Sequence, residues 1–209
     1  MQGRKRYFIL AAIFMLLVVF PIISFLLVRQ GYLVRKNAEP SAYIHETALS
    51  LPVQEYISQR GDTLTPSLLS GKVVLVEFIR NGSDTLTAER HPLFEIQEAY
   101  EGKTLNLRIM SLWADSVQQP TTEQLAFFGS RFAVREFWLV AACSNISLVS
   151  ESLAKAFNLP ENFMQDSNYF FPNMVYVLNT QGKWCGMYDV QDKKEYDALF
   201  SDILYLIDQ

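Results

Sequence analysis

Val73-Val74-Leu75-Val76-Glu77-Phe78-Ile79 is a nearly unbroken apolar run, entered from Gly71-Lys72 and left through the polar stretch 80–91. A short run of this kind, without polar alternation, is what a central strand covered on both faces requires. The elements on either side follow from it. Upstream, Thr65 to Lys72 reads as a short helix stopped by glycine, Arg60-Gly61-Asp62 as a turn, and Leu51 to Gln59 as a weakly alternating strand. Downstream, the polar loop leads into a helix through Pro92–Tyr100, with Leu93, Ile96 and Tyr100 at helical spacing and Glu101-Gly102-Lys103 as its stop. Leu105 to Trp113 is the next strand, and Thr121 to Phe132 a helix with Thr121 or Thr122 as its cap. Phe137 to Ala141 then reads as a strand and Leu148 to Phe157 as a helix. Asn173–Asn179 and Lys183–Val190 frame Thr180-Gln181-Gly182 as a hairpin. Lys194 to Ile207 closes the chain as an amphipathic helix with Tyr196, Leu199, Ile203 and Leu206 on one face. The order β-α-β-α-β-α-β-β-α predicts an α/β domain with a mixed central sheet flanked by helices.

The chain has 209 residues, 50% of them hydrophobic, and a net charge of −4 with a pI near 5.3. That length suits one domain plus an anchor. The mild acidity argues against nucleic acid as a partner, since binding it would select a clustered basic face. Phe8 to Val28 (FILAAIFMLLVVFPIISFLLV) runs for 21 residues without a charge. About 20 apolar residues span a hydrocarbon core, whereas a signal peptide's apolar region covers only about 7–15. No small-residue cleavage site follows; Arg29, Gln30, Gly31 and Tyr32 do. The expected organisation is a tail over 1–7, a transmembrane helix over 8–28, a linker over 29–47 and the domain over 48–209.

Arg4, Lys5 and Arg6 precede the span and Arg29, Arg35 and Lys36 follow it, so the positive-inside rule hardly discriminates between orientations. The short basic tail favours a cytoplasmic N-terminus with the domain outside. Asn81-Gly82-Ser83 and Asn145-Ile146-Ser147 match the glycosylation acceptor pattern, a tripeptide common by chance. No nucleotide-binding glycine loop, serine-hydrolase elbow or zinc cluster is present in the sequence.

Leu51-Pro52, the Arg60-Gly61-Asp62 turn, Gly71-Lys72 with the strand to Phe78, Leu153-Ala154-Lys155-Ala156-Phe157, and Thr180-Gln181-Gly182-Lys183 occur in that order. Over roughly residues 48–208 this resembles the Sco/SenC family, thioredoxin-like, membrane-anchored copper proteins of cytochrome oxidase assembly. The resemblance places the family's two cysteines at Ser83 and Thr87 and its histidine at Phe171. All three copper-ligand positions are therefore substituted. A thiolate is a soft donor that selects Cu(I), and a neutral alcohol is not. Nor can Ser83 and Thr87 form a disulfide.

The two cysteines elsewhere, Cys143 and Cys185, fall on strands that the family's sheet order places at opposite edges. A bridge between them is disfavoured by the roughly 7 Å limit on Cα separation, although an intermolecular bond through Cys185 stays open. His91, Asp84 and Asp115 could hold a hard ion weakly. The plainer reading makes Asp84 a helix cap, His91 a surface residue before Pro92, and His45 a solvated linker residue. Tyr169, Phe170 and Phe171, beside Pro172 at the place where thioredoxin-like folds set a cis-proline, read either as core filling or as an apolar contact surface.

The resemblance, with its degenerate site, implies a non-catalytic binding or scaffold factor for a respiratory complex. It would need no cofactor and would work on the outer (periplasmic or equivalent) face of the membrane with a protein partner. The contact-surface candidates are Asp84, His91, Asp115, Tyr169, Phe170 and Pro172. Two alternatives remain: a copper chaperone or thiol oxidoreductase with a rearranged site, and a structural accessory subunit of a membrane complex.

Overall fold

The structure, a computed structural model, describes residues 13–36, 39–80, 91–114, 119–160, 162–165, 169 and 173–209. The chain divides into two compact units, Met1–Glu39 and Pro40–Gln209. In the first, a π-helical turn at Met15–Val19 leads into helix α1 (Phe20–Lys36). Phe20 donates its N–H to the Met15 carbonyl, the widened repeat that defines such a turn. From Phe14 to Val28 the apolar side chains are exposed on every side, Phe14 at 59%, Leu17 at 67% and Val28 at 72%. Among the described residues, no helix is long and apolar enough to cross a membrane. The expected span begins at Phe8, and residues 8–12 lie outside the described residues.

The second unit is built on one seven-stranded sheet. Its strands are β1 (Tyr56–Ser58), β2 (Thr63–Leu64), β3 (Val73–Ile79), β4 (Leu107–Trp113), β5 (Trp138–Cys143), β6 (Met174–Leu178) and β7 (Trp184–Asp189). Their spatial order is β2-β1-β5-β4-β3-β6-β7. Strands β3, β4 and β5 are mutually parallel; β6 runs antiparallel to β3, and β7 to β6. All seven residues of β3 are buried, as its unbroken apolar pattern requires.

Helix α2 (Pro92–Tyr100), α3 (Thr122–Arg131), α4 (Ile146–Phe157) and α5 (Lys193–Ile207) cover the sheet. Val74, Val76 and Phe78 point to one face, where they pack with Val149 and Leu153 of α4. Val73 and Leu75 point to the other, against Leu93 and Ile96 of α2 and Leu199 and Ile203 of α5. Ile79 meets Leu125 and Phe128 of α3. Thr121 caps α3 through a reciprocal box, its hydroxyl accepting from the Gln124 amide while the Gln124 side chain accepts from the Thr121 amide. Gly182, at φ +73°, turns the β6–β7 hairpin in a conformation that costs other residues strain.

Three expectations change. The stretch 65–72 forms only a 3-10 turn, Pro66–Leu69. Strand β5 is not at an edge, because β1 pairs with it antiparallel through Tyr56↔Cys143. Residues 40–47, read as linker, belong to the domain's compact unit. There Ile44 bridges Gly186 and Ser50 bridges Lys183, so this segment lies along the outer side of β7. Buried Asp202 of α5 holds it, accepting from the Ser41 amide at 2.8 Å, from the Ser41 hydroxyl, and from the Tyr188 hydroxyl at 2.8 Å.

Candidate functional site

The parallel register sets the C-terminal ends of β3, β4 and β5 side by side, since Ile79 pairs with Trp113 and Trp113 with Ala142. Strand β6, antiparallel to β3, begins at that same end. The helices that follow start there too, capped by His91, Thr121 and Asn145. In open α/β sheets this is where ligands gather.

Just below that end lies a buried polar chain. Glu77, the single charged residue of β3, stands opposite Ser111 of β4 in register. The Ser111 hydroxyl donates to Glu77 Oε1, and Trp138 Nε1 donates to Ser111 Oγ at 2.7 Å. His91 Nε2 lies 3.4 Å from the same Glu77 oxygen. His91 Nδ1 accepts from the Leu93 amide at 3.2 Å, so Nδ1 bears no hydrogen and Nε2 does. The imidazole packs edge-on against Phe132 and Trp138, with ring centroids 4.8 and 4.7 Å away. Glu77, His91 and Ser111 are each at most 1% exposed. The sequence did carry a signal for this group: the lone carboxylate inside VVLVEFI needs partners once buried.

His91 is therefore not a surface residue, and it leaves the set of contact-surface candidates. A histidine before a helix-starting proline caps that helix, and the cap turns its ring inward. Ser83, Asp84, Thr87, Asp115, Phe170, Phe171 and Pro172 lie outside the described residues. Tyr169 is half-buried, packs edge-on to Phe163 at 5.6 Å, and its carbonyl accepts from the Tyr176 hydroxyl at 3.2 Å. His45 is exposed, as expected. Among the described residues no cluster of three or more His, Cys, Asp or Glu could hold a metal ion. Beside α4, an open cleft of about 720 Å³ is lined by apolar residues such as Ile146, Leu159 and Met164 together with polar ones such as Glu151, Lys155 and Asn158.

The two cysteines are both buried and free. Cys143 ends β5 and packs on the α4 face; Cys185 opens β7 and packs on the α5 face. Strands β4, β3 and β6 stand between them. At roughly 4.8 Å per strand that is about 19 Å of lateral separation, far beyond disulfide reach. At 3% exposure Cys185 is also shielded from a second molecule.

Burial pushes the Cys143 thiol from the ordinary 9.0 up to about 11 and the Cys185 thiol up to about 12. At pH 8 the thiolate fractions are then roughly one in a thousand and one in ten thousand. A native-state thiol titration should show almost no reaction at that pH, and two equivalents once the chain is denatured. A thiol raised on folding stabilises fully below the unfolded value, and the benefit fades as pH climbs toward the folded one. Stability should therefore fall between about pH 9 and pH 11–12. Replacing both cysteines with alanine should flatten that part of the profile.

The strand order, the parallel centre, the antiparallel hairpin and the helices on both faces define a thioredoxin-like α/β domain. Within that class its fold is similar to that of solved Sco-family proteins. No family model matches it, and no curated protein matches it by sequence. Solved structures do match. BsSco, a member of the Sco family of cytochrome c oxidase assembly proteins, superposes with a TM-score of 0.59 at 20% identity, over 78% of this chain and 97% of that one. A Sco/SenC family lipoprotein from Bacillus anthracis gives 0.58 at 18% identity, over 76% and 95%. The soluble domain of the Bacillus subtilis Sco protein gives 0.53 at 21%, over 74% and 91%. At these identities the likeness is one of fold.

Proposed function

We propose that this chain is a membrane-tethered, non-catalytic Sco-like domain that acts by binding, as an assembly or scaffold factor for a respiratory oxidase. The placement of its two thiols supports this most directly. Both are buried, on opposite faces of the sheet and at opposite ends, and both are pushed far from the thiolate form. Cys143 lies at the sheet end where thioredoxin-like folds work, but it stands there without a second thiol, since Cys185 is at the other end, and this argues against a Cu(I) or electron-exchange site built on the pair. The three positions that the Sco/SenC resemblance assigns to copper ligands carry Ser83, Thr87 and Phe171.

The oxidase connection rests on the shared fold, and a fold alone does not fix function. The exposed apolar surround of the helix from Phe14 to Val28, continued upstream to Phe8 in the sequence, supports a bilayer anchor, and the short basic tail at Arg4-Lys5-Arg6 favours the domain on the outer face. Tethering would confine the domain near membrane partners and raise their effective concentration. The half-buried Tyr169 and the cleft beside α4, whose wall mixes apolar and polar side chains, are described surfaces suited to a protein partner.

A Cu(I) titration of the full chain in mild detergent under reducing conditions tests the non-catalytic reading; stoichiometric tight binding would overturn it. Co-purification in the same detergent tests the assembly role, which requires oxidase subunits or their assembly factors among the companions. Recovery of the chain as a fixed stoichiometric subunit of an unrelated complex would refute that role.

A further inference from the structure

We propose that the end of the sheet opposite the candidate site is a docking face for an anionic lipid surface, built from two exposed leucines and three cations. It belongs to the domain's own surface and is separate from the partner-binding surfaces near α4.

Three loops meet at this end. Gly71 donates its amide to the Thr180 carbonyl at 2.8 Å, and Val73 donates to the Asn106 carbonyl at 2.7 Å. The turn before β3 therefore lies between the β6–β7 turn and the loop that enters β4. Helix α2 also ends here, because Glu101-Gly102-Lys103 runs directly into that loop. Two of the loops each present a leucine to solvent, Leu68 at 55% exposure and Leu105 at 79%. Leu69 and Leu107 are buried and supply these loops' contacts with the core.

Each exposed leucine has a cation at its base. Lys72 Nζ donates to the Leu68 carbonyl at 3.0 Å. Arg108 Nη1 donates to the Leu105 carbonyl at 3.4 Å and to the Leu107 carbonyl at 2.8 Å. Exposed Lys103 stands two residues before Leu105. Among the described residues, none of the three cations is paired with a carboxylate. The carboxylates at the end of α2 are engaged elsewhere, since Glu98 and Glu101 both pair with Arg135. Glu136, ahead of β5, and Glu46, which lines a small cavity with Lys183, bound the patch on either side.

A leucine with a cation at its root is what an interfacial membrane contact needs. The side chain enters the boundary between headgroups and acyl chains, while the cation stays level with the lipid phosphates. An acidic protein segment would pair with the cations. Two leucines on separate loops, however, ask for an apolar layer that yields to both, and a bilayer supplies one at any spacing. The whole chain carries a net charge of −4, so the attraction is confined to this end and orients it.

The test places a nitroxide at Leu105→Cys in the full chain, held in nanodiscs of phosphatidylcholine or of an equal mixture with phosphatidylglycerol. Native Cys143 and Cys185 are buried and stay unlabelled. A separate label at Leu148→Cys, in the first turn of α4 at the opposite end, reports non-specific contact. Relaxation by oxygen against a water-soluble nickel chelate reads whether each label meets lipid. In the mixed discs the Leu105 label should meet lipid and the Leu148 label stay wet; in phosphatidylcholine both should be wet. Lys72→Gln combined with Lys103→Gln should lower the docked-to-free ratio roughly 25-fold, at about fivefold per cation near an anionic surface. Salt at about 0.5 M should release the label too. A label at Leu68→Cys gives the same reading should the Leu105 variant misfold.

Equal lipid contact in both discs, contact that survives the double glutamine variant, or matching contact at Leu148 would each overturn the proposal. So would a Leu105 label that is buried only in a co-purified protein complex, which would assign the face to a protein. A chain held in both discs with a wet Leu105 label refutes this face and leaves the anchor standing. A chain that gathers on the mixed discs alone refutes the anchor and supports the face.

Discussion

Asp202→Ala should lower the unfolding free energy by about 3–5 kcal/mol. The carboxylate is 1% exposed and accepts from three donors: the Ser41 amide, the Ser41 hydroxyl and the Tyr188 hydroxyl. Alanine would leave all three without an acceptor, and hydrogen bonds to a charged group contribute about 1.5–3 kcal/mol each. The sum falls short of three full bonds because Ser41, which is only half-buried, can turn to water. Tyr188 cannot; it is fully buried, its ring packs on Tyr43 at 5.7 Å, and it lies within 2.7 Å of where a Cβ at Gly186 would sit.

Denaturant unfolding of the full chain in detergent measures the loss, and limited proteolysis should find new cleavage within 41–50. Asp202→Asn, which keeps one acceptor oxygen, should lose less. A change below about 1 kcal/mol for the alanine variant would show that the segment is held by its strand bridges and not by the carboxylate.

Trp138→Ala should be similarly severe, at about 3–5 kcal/mol. The indole is fully buried, packs on His91, and hydrogen-bonds Ser111, which in turn holds Glu77. Removing it opens a cavity and strips the Ser111 oxygen of its donor. Trp138→Phe separates the two effects, since it keeps most of the volume and loses only the hydrogen bond; about 1–2 kcal/mol is expected. Calorimetry on both variants, with Ser111→Ala as the partner in a double-mutant cycle, apportions the loss. If the phenylalanine variant lost as much as the alanine one, the polar chain and not the packing would be the dominant stabiliser.

The strands and helices that local pattern dictates were legible in the sequence. VVLVEFI marks β3 to the residue, because a strand buried on both faces needs no alternation and polar residues bound the run on either side. Pro92 fixed the start of α2, and Thr121 the start of α3, through chemistry contained within four residues. What escaped depends on distant partners. Ser41 and Asp202 are 161 residues apart, and nothing near Ser41 announces a strap. Strand β1 has only three residues, too few for any period to show, yet its pairing moves β5 off the edge. His91 looked polar and loop-like because its burial comes from Phe132 and Trp138, two elements further on.

The expected site, Ser83, Thr87 and Phe171, lies outside the described residues; what the structure describes beneath that end of β3 is the Glu77 group. The Glu77–Ser111 contact, however, needs the β3–β4 register, which neither strand's sequence supplies alone.

The segment from Ile44 to Ser50 has a consequence for how the molecule behaves in a crowd. A bare sheet border is a template onto which other chains can stack, and long exposed borders are where ordered aggregates start. Here one border is occupied by the chain's own bridges at Gly186 and Lys183, and the other is reduced to the two residues Thr63–Leu64. Among the described residues, the domain offers its copies no long bare ladder to extend.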